Sequence, residues 1–163
     1  MAFKVVKTKE EGLAQLTELV SSFESGIKTF RESKYNETQV RNDFVDSLLM
    51  SFGWDVDNDA KKNQFLRDVI QEEYIEVEDE KSKKNPDYTL RVQGLRKLFV
   101  EAKKPYVDIS KSSKSAFQTR RYGWNANLGI SILTNFENLI IYDCRYKESI
   151  LWFSFYPYHY RAS

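Results

Sequence analysis

The sequence predicts an α/β fold, a central mixed β-sheet flanked by helices. Three observations carry that prediction. Apolar residues recur at three-to-four spacing over 10–31 and again over 37–52, as on amphipathic helices. Residues 88–100 read as strand, turn, strand around Gln93-Gly94. Finally, 130–133 and 139–142 are almost uninterruptedly apolar, as strands covered on both faces are. A chain of 163 residues with 41% hydrophobic and 15% aromatic content is long enough for one domain with a substantial core.

The elements follow in order. Leu13, Leu16, Leu19, Val20, Phe23, Ile27 and Phe30 make the apolar stripe of the first helix. Asn36 is a good N-cap for the second, with Gln39 three residues on. Val40, Phe44, Leu48, Leu49 and Phe52 form its buried stripe, and Gly53 closes it. Residues 54–56 look like a short strand, 58–70 are charged and irregular with one helical turn around Phe65-Leu66, and 74–77 begin an exposed strand. A polar loop, 80–84, leads into the hairpin. After Pro105 a helix is expected over roughly 112–126, then the two apolar strands around a turn at 135–138. A last, aromatic strand is expected over 151–155. Trp152, Phe153, Phe155, Tyr156 and Tyr158 make the end so aromatic that it suggests an interface with a further C-terminal region.

The hairpin carries the chemistry. Asn85-Pro86-Asp87 precedes its first strand, and Glu101-Ala102-Lys103 ends its second. Strand residues alternate between faces, so Glu101 and Lys103 project together. A two-residue turn would set Asp87 opposite Val100 and Leu90 opposite Lys97. A three-residue loop, Gln93-Gly94-Leu95 with Gly94 at positive φ, sets Asp87 opposite Glu101, Leu90 opposite Leu98 and Tyr88 opposite Val100. The second register pairs apolar with apolar, and it also brings two carboxylates together. Adjacent carboxylates repel unless a cation or proton intervenes, and a divalent metal resolves the conflict. Two carboxylates and a lysine are what a Mg²⁺-dependent phosphodiesterase needs: oxygens for a hard cation and an ammonium for the attacking water. Read alone, the same residues also fit a turn followed by an exposed strand face.

Composition narrows the alternatives. Cys144 is the only cysteine and His159 the only histidine, which removes disulfide frameworks and Cys/His zinc sites and makes Ser-His-Asp catalysis a poor fit. No signal peptide is evident, and no apolar run approaches the roughly 20 residues of a membrane span, so a cytoplasmic protein is expected. Net charge is +1, but it is segregated: 68–80 holds seven acids and no base, whereas 96–121 holds eight bases against two acids. A basic segment around the carboxylates suits a phosphate backbone, as it also suits a solvated helix face.

Several of these features recur together in one known setting. Asn36-Glu37-Thr38-Gln39-Val40-Arg41 opens a helix ending in Phe52-Gly53-Trp54. Pro86-Asp87-Tyr88 is followed by Val100-Glu101-Ala102-Lys103-Lys104-Pro105. Gln118-Thr119-Arg120-Arg121-Tyr122 then lies on a helix, before Ile132-Leu133-Thr134-Asn135. This succession resembles the PD-(D/E)xK nuclease domains of restriction enzymes, nearest to the N-terminal domain of type I R subunits and of type IIG restriction-methylation proteins. The resemblance covers about 35–145, and the pattern departs from it at Phe136, where a glycine commonly follows the asparagine.

The resemblance implies a restriction-endonuclease-like fold with an extra N-terminal helix. It divides a single nuclease domain, 1–163, into a helical extension (1–34), a core (35–145) and an aromatic C-terminal strand (146–163). It implies that Asp87, Glu101 and the Ala102 carbonyl ligate Mg²⁺, with Mn²⁺ as a substitute, and that Glu37 reaches the metal directly or through water. Lys103 would position the nucleophilic water, Gln118 would face the site, and Tyr122 would pack or touch backbone phosphate. Lys111, Lys114, Gln118 and Arg121 fall at spacings of three and four, a polar stripe expected to follow the phosphate backbone with help from Lys104. The expected activity is Mg²⁺-dependent hydrolysis of double-stranded DNA, with dimerisation on DNA for duplex cleavage. Methyltransferase and target-recognition regions in the same polypeptide or complex are the expected partners. The alternatives are a catalytically silent nucleic-acid-binding or protein-interaction module, and a repair or resolvase-type nuclease.

Overall fold

The structure, a computed structural model, describes residues 3–75, 85–146 and 153–155. Helix α1 (Lys9–Phe30) starts at a capping box in which the Thr8 side chain accepts from Glu11 N and the Glu11 side chain accepts from Thr8 N. The second predicted helix is continuous in space but wider in its middle. Helix α2 (Glu37–Val40), capped by Asn36 and Gln39 as the sequence indicates, runs into a π-helical turn (Arg41–Val45) and then α3 (Asp46–Ser51). Gly53 ends it at φ +87°, a conformation that costs a glycine little.

Residues 54–56 form no strand. Asp55 is buried there, and its carboxylate accepts the Asp59 and Ala60 amides at 2.8 and 3.0 Å, which turns the chain. Near Phe65-Leu66 the expected helical turn is one hydrogen-bonded turn, Leu66 N to Asn63 O at 3.0 Å. The strand expected to begin at Tyr74 lies earlier, as β1 (Val69–Gln71). Glu72, at φ +52°, ends β1 and turns Tyr74 and Ile75 out of the sheet; the rest of that segment and the 80–84 loop lie outside the described residues.

Strands β2 (Tyr88–Val92), β3 (Leu95–Ala102), β4 (Ile130–Thr134), β5 (Leu139–Asp143) and β6 (Phe153–Phe155) complete a six-stranded sheet in sequential order. Among the described strands only the β3–β4 pair is parallel, so the connection between them crosses the sheet through α4 (Ser113–Asn125). The remaining C-terminal aromatic residues lie outside the described region.

The hairpin register is the apolar-matched one: Tyr88 pairs with Val100 and Leu90 with Leu98. It is reached differently from the expectation. The turn has two residues, Gln93 at φ +52° and Gly94 at φ +77°, between paired Val92 and Leu95. The extra residue is Lys97, held in a bulge between the Leu90–Leu98 and Arg91–Arg96 pairs. A turn with both central residues at positive φ matches the twist of the strands, and the bulge supplies the one-residue shift.

Alternation along β3 divides the core. Leu98, Val100 and Ala102 face α1–α3, joining Leu19, Phe23, Val40, Phe44, Val45, Tyr88 and Leu90. Phe99 faces the opposite layer with Tyr122 and Leu128, and Glu101 takes that side too. Helix α4 can lie this close because position 123 is glycine: a Cβ there would meet Ser131 Oγ at 2.4 Å and Cys144 Sγ at 2.6 Å. Helix α1 is built into the core. Phe23 is fully buried and its ring lies 5.1 Å from Phe44 and 4.9 Å from Phe136. Phe136 takes the φ of +67° that a glycine would take more easily, and packing between Phe23 and Phe44 offsets that strain.

Candidate active site

The carboxyl end of β3 delivers Glu101 to the α4 side, where α4 supplies Gln118 and the start of α2 supplies Glu37. Glu101 is 4% exposed. Its Oε1 accepts from Lys103 Nζ at 2.7 Å and from Gln118 Nε2 at 2.9 Å, while its Oε2 is buried with no hydrogen-bond partner. Burial, and then the nearby Asp87 charge, push the Glu101 carboxyl up to about 7. Asp87 is held by both oxygens: Oδ2 accepts the Ala102 amide at 2.7 Å and Oδ1 accepts Arg41 Nη1 at 3.2 Å. Burial raises the Asp87 carboxyl as well, against the lowering pull of the Ala102 amide, Arg41 and Lys103.

Lys103 is the counter-charge. Burial alone would lower its ammonium, but Glu101, Glu37 and Asp87 outweigh that and hold it above its ordinary value. Its Nζ lies 2.7 Å from Glu101 Oε1, 3.1 Å from the Ala102 carbonyl and 3.7 Å from Glu37 Oε1. These are the oxygens that the resemblance assigns around the metal, gathered about one positive charge.

Among the described residues, no group of three or more His, Cys, Asp or Glu side chains is arranged to hold a metal ion. The donors are two carboxylates and one carbonyl, all oxygen, with one buried carboxylate oxygen unsatisfied. That set fits Mg²⁺, which commonly uses one or two carboxylates and keeps water or substrate oxygens for the rest.

The other predicted residues separate. Tyr122 is 2% exposed and packs in the α4-side core; its hydroxyl accepts from Gln118 Nε2 at 3.1 Å, so it braces Gln118 and is turned away from the surface. Lys111 precedes the helix, because Ser112 is the cap, and pairs with Asp108 at 3.0 Å. Lys104 Nζ donates to the Ser33 carbonyl at 3.4 Å and lies 6.0 Å from the Tyr106 ring centroid, tying the loop after β3 to the segment after α1. Lys114 and Arg121 remain on α4, the latter 5.9 Å from the exposed Phe117 ring. Arg41 carries no role in the sequence reading, although it sits in the quoted Asn36–Arg41 run. Its spacing of four from Glu37 on one helix is the signal that could have placed both over the site.

The site thus gathers a buried Glu101, a partly buried Asp87, a lysine against Glu101 and a helix-borne glutamine, and comparison with known proteins gives the class of the chain. Residues 58–150 match the family described as the type I restriction enzyme R protein N terminus, and the chain belongs to that family. It is 48% identical over 130 residues to the type II restriction enzyme and methyltransferase RM.Eco57I of Escherichia coli, a match covering 80% of this chain. The match spans only 13% of that relative. No solved structure matches the chain. Among the described residues, no helix is long and apolar enough to cross a membrane.

Proposed function

We propose that this chain is the Mg²⁺-dependent endonuclease domain of a restriction-modification enzyme, built on the PD-(D/E)xK fold and cutting double-stranded DNA. The single observation that carries this reading is the Asp87–Glu101 pair, partly and fully buried respectively, with Lys103 held between Glu101, the Ala102 carbonyl and Glu37. The bound cation would supply Lewis-acid stabilisation of the pentavalent phosphate charge and a more acidic water. Asp87, Glu101 and the Ala102 carbonyl would hold it, with Mn²⁺ able to replace Mg²⁺ and Glu37 reaching it directly or through water.

The chain's own residues do the rest. Lys103, already aimed by two acids, holds the attacking water by hydrogen bonding and steadies negative charge at the nucleophile. Gln118, braced by Tyr122, fixes the Glu101 rotamer. Lys114 and Arg121 lie on the side of α4 that continues from Gln118 and offer positive charge to the DNA backbone. The relative's pairing of restriction enzyme and methyltransferase supports a methyltransferase partner here. Target recognition by other regions and two copies meeting on DNA for duplex cleavage complete the proposal.

The test is cleavage of unmethylated plasmid DNA with Mg²⁺ by the full-length parent, beside Asp87→Ala, Glu101→Ala and Lys103→Ala forms. Each substitution is expected to abolish nicking while leaving the fold intact by circular dichroism. Cleavage that survives all three removes the site assignment. DNA binding without cleavage by the unsubstituted parent favours a silent binding module.

A further inference from the structure

We propose that Arg41 is the positioning residue of the acid pair, fixing the Asp87 carboxylate for the cation, with Glu72 as its anchor; this rests on the nuclease reading above. Three features carry it. First, Arg41 is nearly enclosed, with its side chain 11% exposed, and its partners come from separate elements. Nη1 donates to Glu72 Oε1 at 2.8 Å and to Asp87 Oδ1 at 3.2 Å, Nη2 donates to Gln71 Oε1 at 3.4 Å, and the guanidinium lies 5.1 Å from the Tyr88 ring centroid. A planar fork held on several sides is rigid before any ligand arrives, and a lysine could not make the same set.

Second, the contact to Glu72 is shorter than that to Asp87. The guanidinium is therefore seated by the end of β1 and offered to Asp87, and it does not depend on Asp87 for its place. The backbone ties the same groups, since Glu72 N donates to the Asp87 carbonyl at 3.1 Å. The positive φ at Glu72 is what turns that residue toward the site. Third, Arg41 begins the π-helical turn, and it follows Glu37 by four residues. One helix face thus aims Glu37 at Lys103 and Arg41 at Asp87, and wide helical turns of this kind recur at functional sites.

The consequence is specific. With Oδ2 on the Ala102 amide and Oδ1 on Arg41, the plane of the Asp87 carboxylate is set from both ends. Each oxygen keeps a further lone pair for the cation. Partners of this outer kind typically contribute 10–100-fold to metal affinity.

The experiment measures Mn²⁺ binding to the intact chain without DNA, by counting free Mn²⁺ with electron paramagnetic resonance. Arg41→Gln is expected to weaken binding by roughly 10–100-fold, and Arg41→Lys to restore part of it. Glu72→Gln changes an exposed side chain that touches no proposed metal ligand through its own carboxylate. It is expected to weaken binding less, and the double substitution to be no worse than Arg41→Gln alone. Unchanged or tighter binding in Arg41→Gln overturns the proposal. If Arg41→Gln fails to fold, Glu72→Gln decides in the same sense. Asp87→Ala separates the two levels: Mn²⁺ binding that survives it removes the metal site itself, whereas loss there with no effect at Arg41 removes only the role of Arg41.

Discussion

Replacing Glu101 by glutamine should change how stability depends on pH, more than stability at any one pH. The glutamine keeps the shape and the acceptor oxygen facing Lys103 and Gln118 but removes a charge that is 4% exposed. The carboxyl moves from its ordinary 4.5 to about 7 in the fold, first through burial and then through Asp87, which corresponds to on the order of 3 kcal/mol. The folded value lies above the unfolded one, so between about 4.5 and about 7 the native state holds a proton that the unfolded chain has released. Stability from this group is complete below the unfolded value and is lost as pH rises through about 7. Lys103, raised above its ordinary 10.5, stays charged across this window and does not contribute to the slope.

Thermal unfolding in chelator from pH 4.5 to 8.5 measures the effect. At about 2–4 °C per kcal/mol for a chain of this size, the wild-type melting temperature should fall relative to Glu101→Gln by roughly 6–12 °C across the window. At high pH the glutamine also removes the ionised partner of Lys103, which costs the variant about 1.5–3 kcal/mol. Mg²⁺ at about 100 times its dissociation constant should return roughly 2.7 kcal/mol to the wild type at pH 8 and nothing to the variant. Melting curves that run parallel with pH would refute the buried-charge argument. A variant stabilised by Mg²⁺ as much as wild type would refute the ligand assignment.

Three further outcomes follow from particular contacts. Gln118→Ala removes one of two donors to Glu101 Oε1; plasmid nicking should fall by about 10–100-fold with the circular dichroism spectrum unchanged, and full activity would remove Gln118 from the site. Gly123→Ala drives a Cβ to within 2.4 Å of Ser131 Oγ and 2.9 Å of Cys144 Cβ, so chemical denaturation should show a loss of about 1–3 kcal/mol. Phe136→Gly relieves a strained φ worth about 1 kcal/mol but forfeits ring contacts with Phe23 and Phe44 worth about 3–5 kcal/mol, and a net loss of about 2–4 kcal/mol is expected in the same assay. A gain there would show that the aromatic cluster is not what holds the β4–β5 turn.

How much was legible in the sequence depends on whether the signal was local. The register between Asp87 and Glu101 could be read because apolar matching selects it, whichever residue supplies the extra step. Where that step sits could not be read: a three-residue loop and a two-residue turn with Lys97 in a bulge produce the same pairs at Tyr88 and Leu90. The Asn36 cap, Gly53 and the α4 span are likewise local, and each was visible. Charge was a poorer guide, because linear spacing extends a helix face backward past its cap. Lys111 joins the stripe in sequence, but Ser112 begins the helix after it and Asp108 takes its charge. The partners of Arg41 were out of reach for the opposite reason. Gln71 and Glu72 come to it only because β1 falls at 69–71 and the chain turns at a positive φ there, in a segment whose acids were given no role by the sequence reading. The acids proposed to bind a cation can therefore be found from spacing along one hairpin. The base that orients them has to be found from the turns that bring other elements alongside.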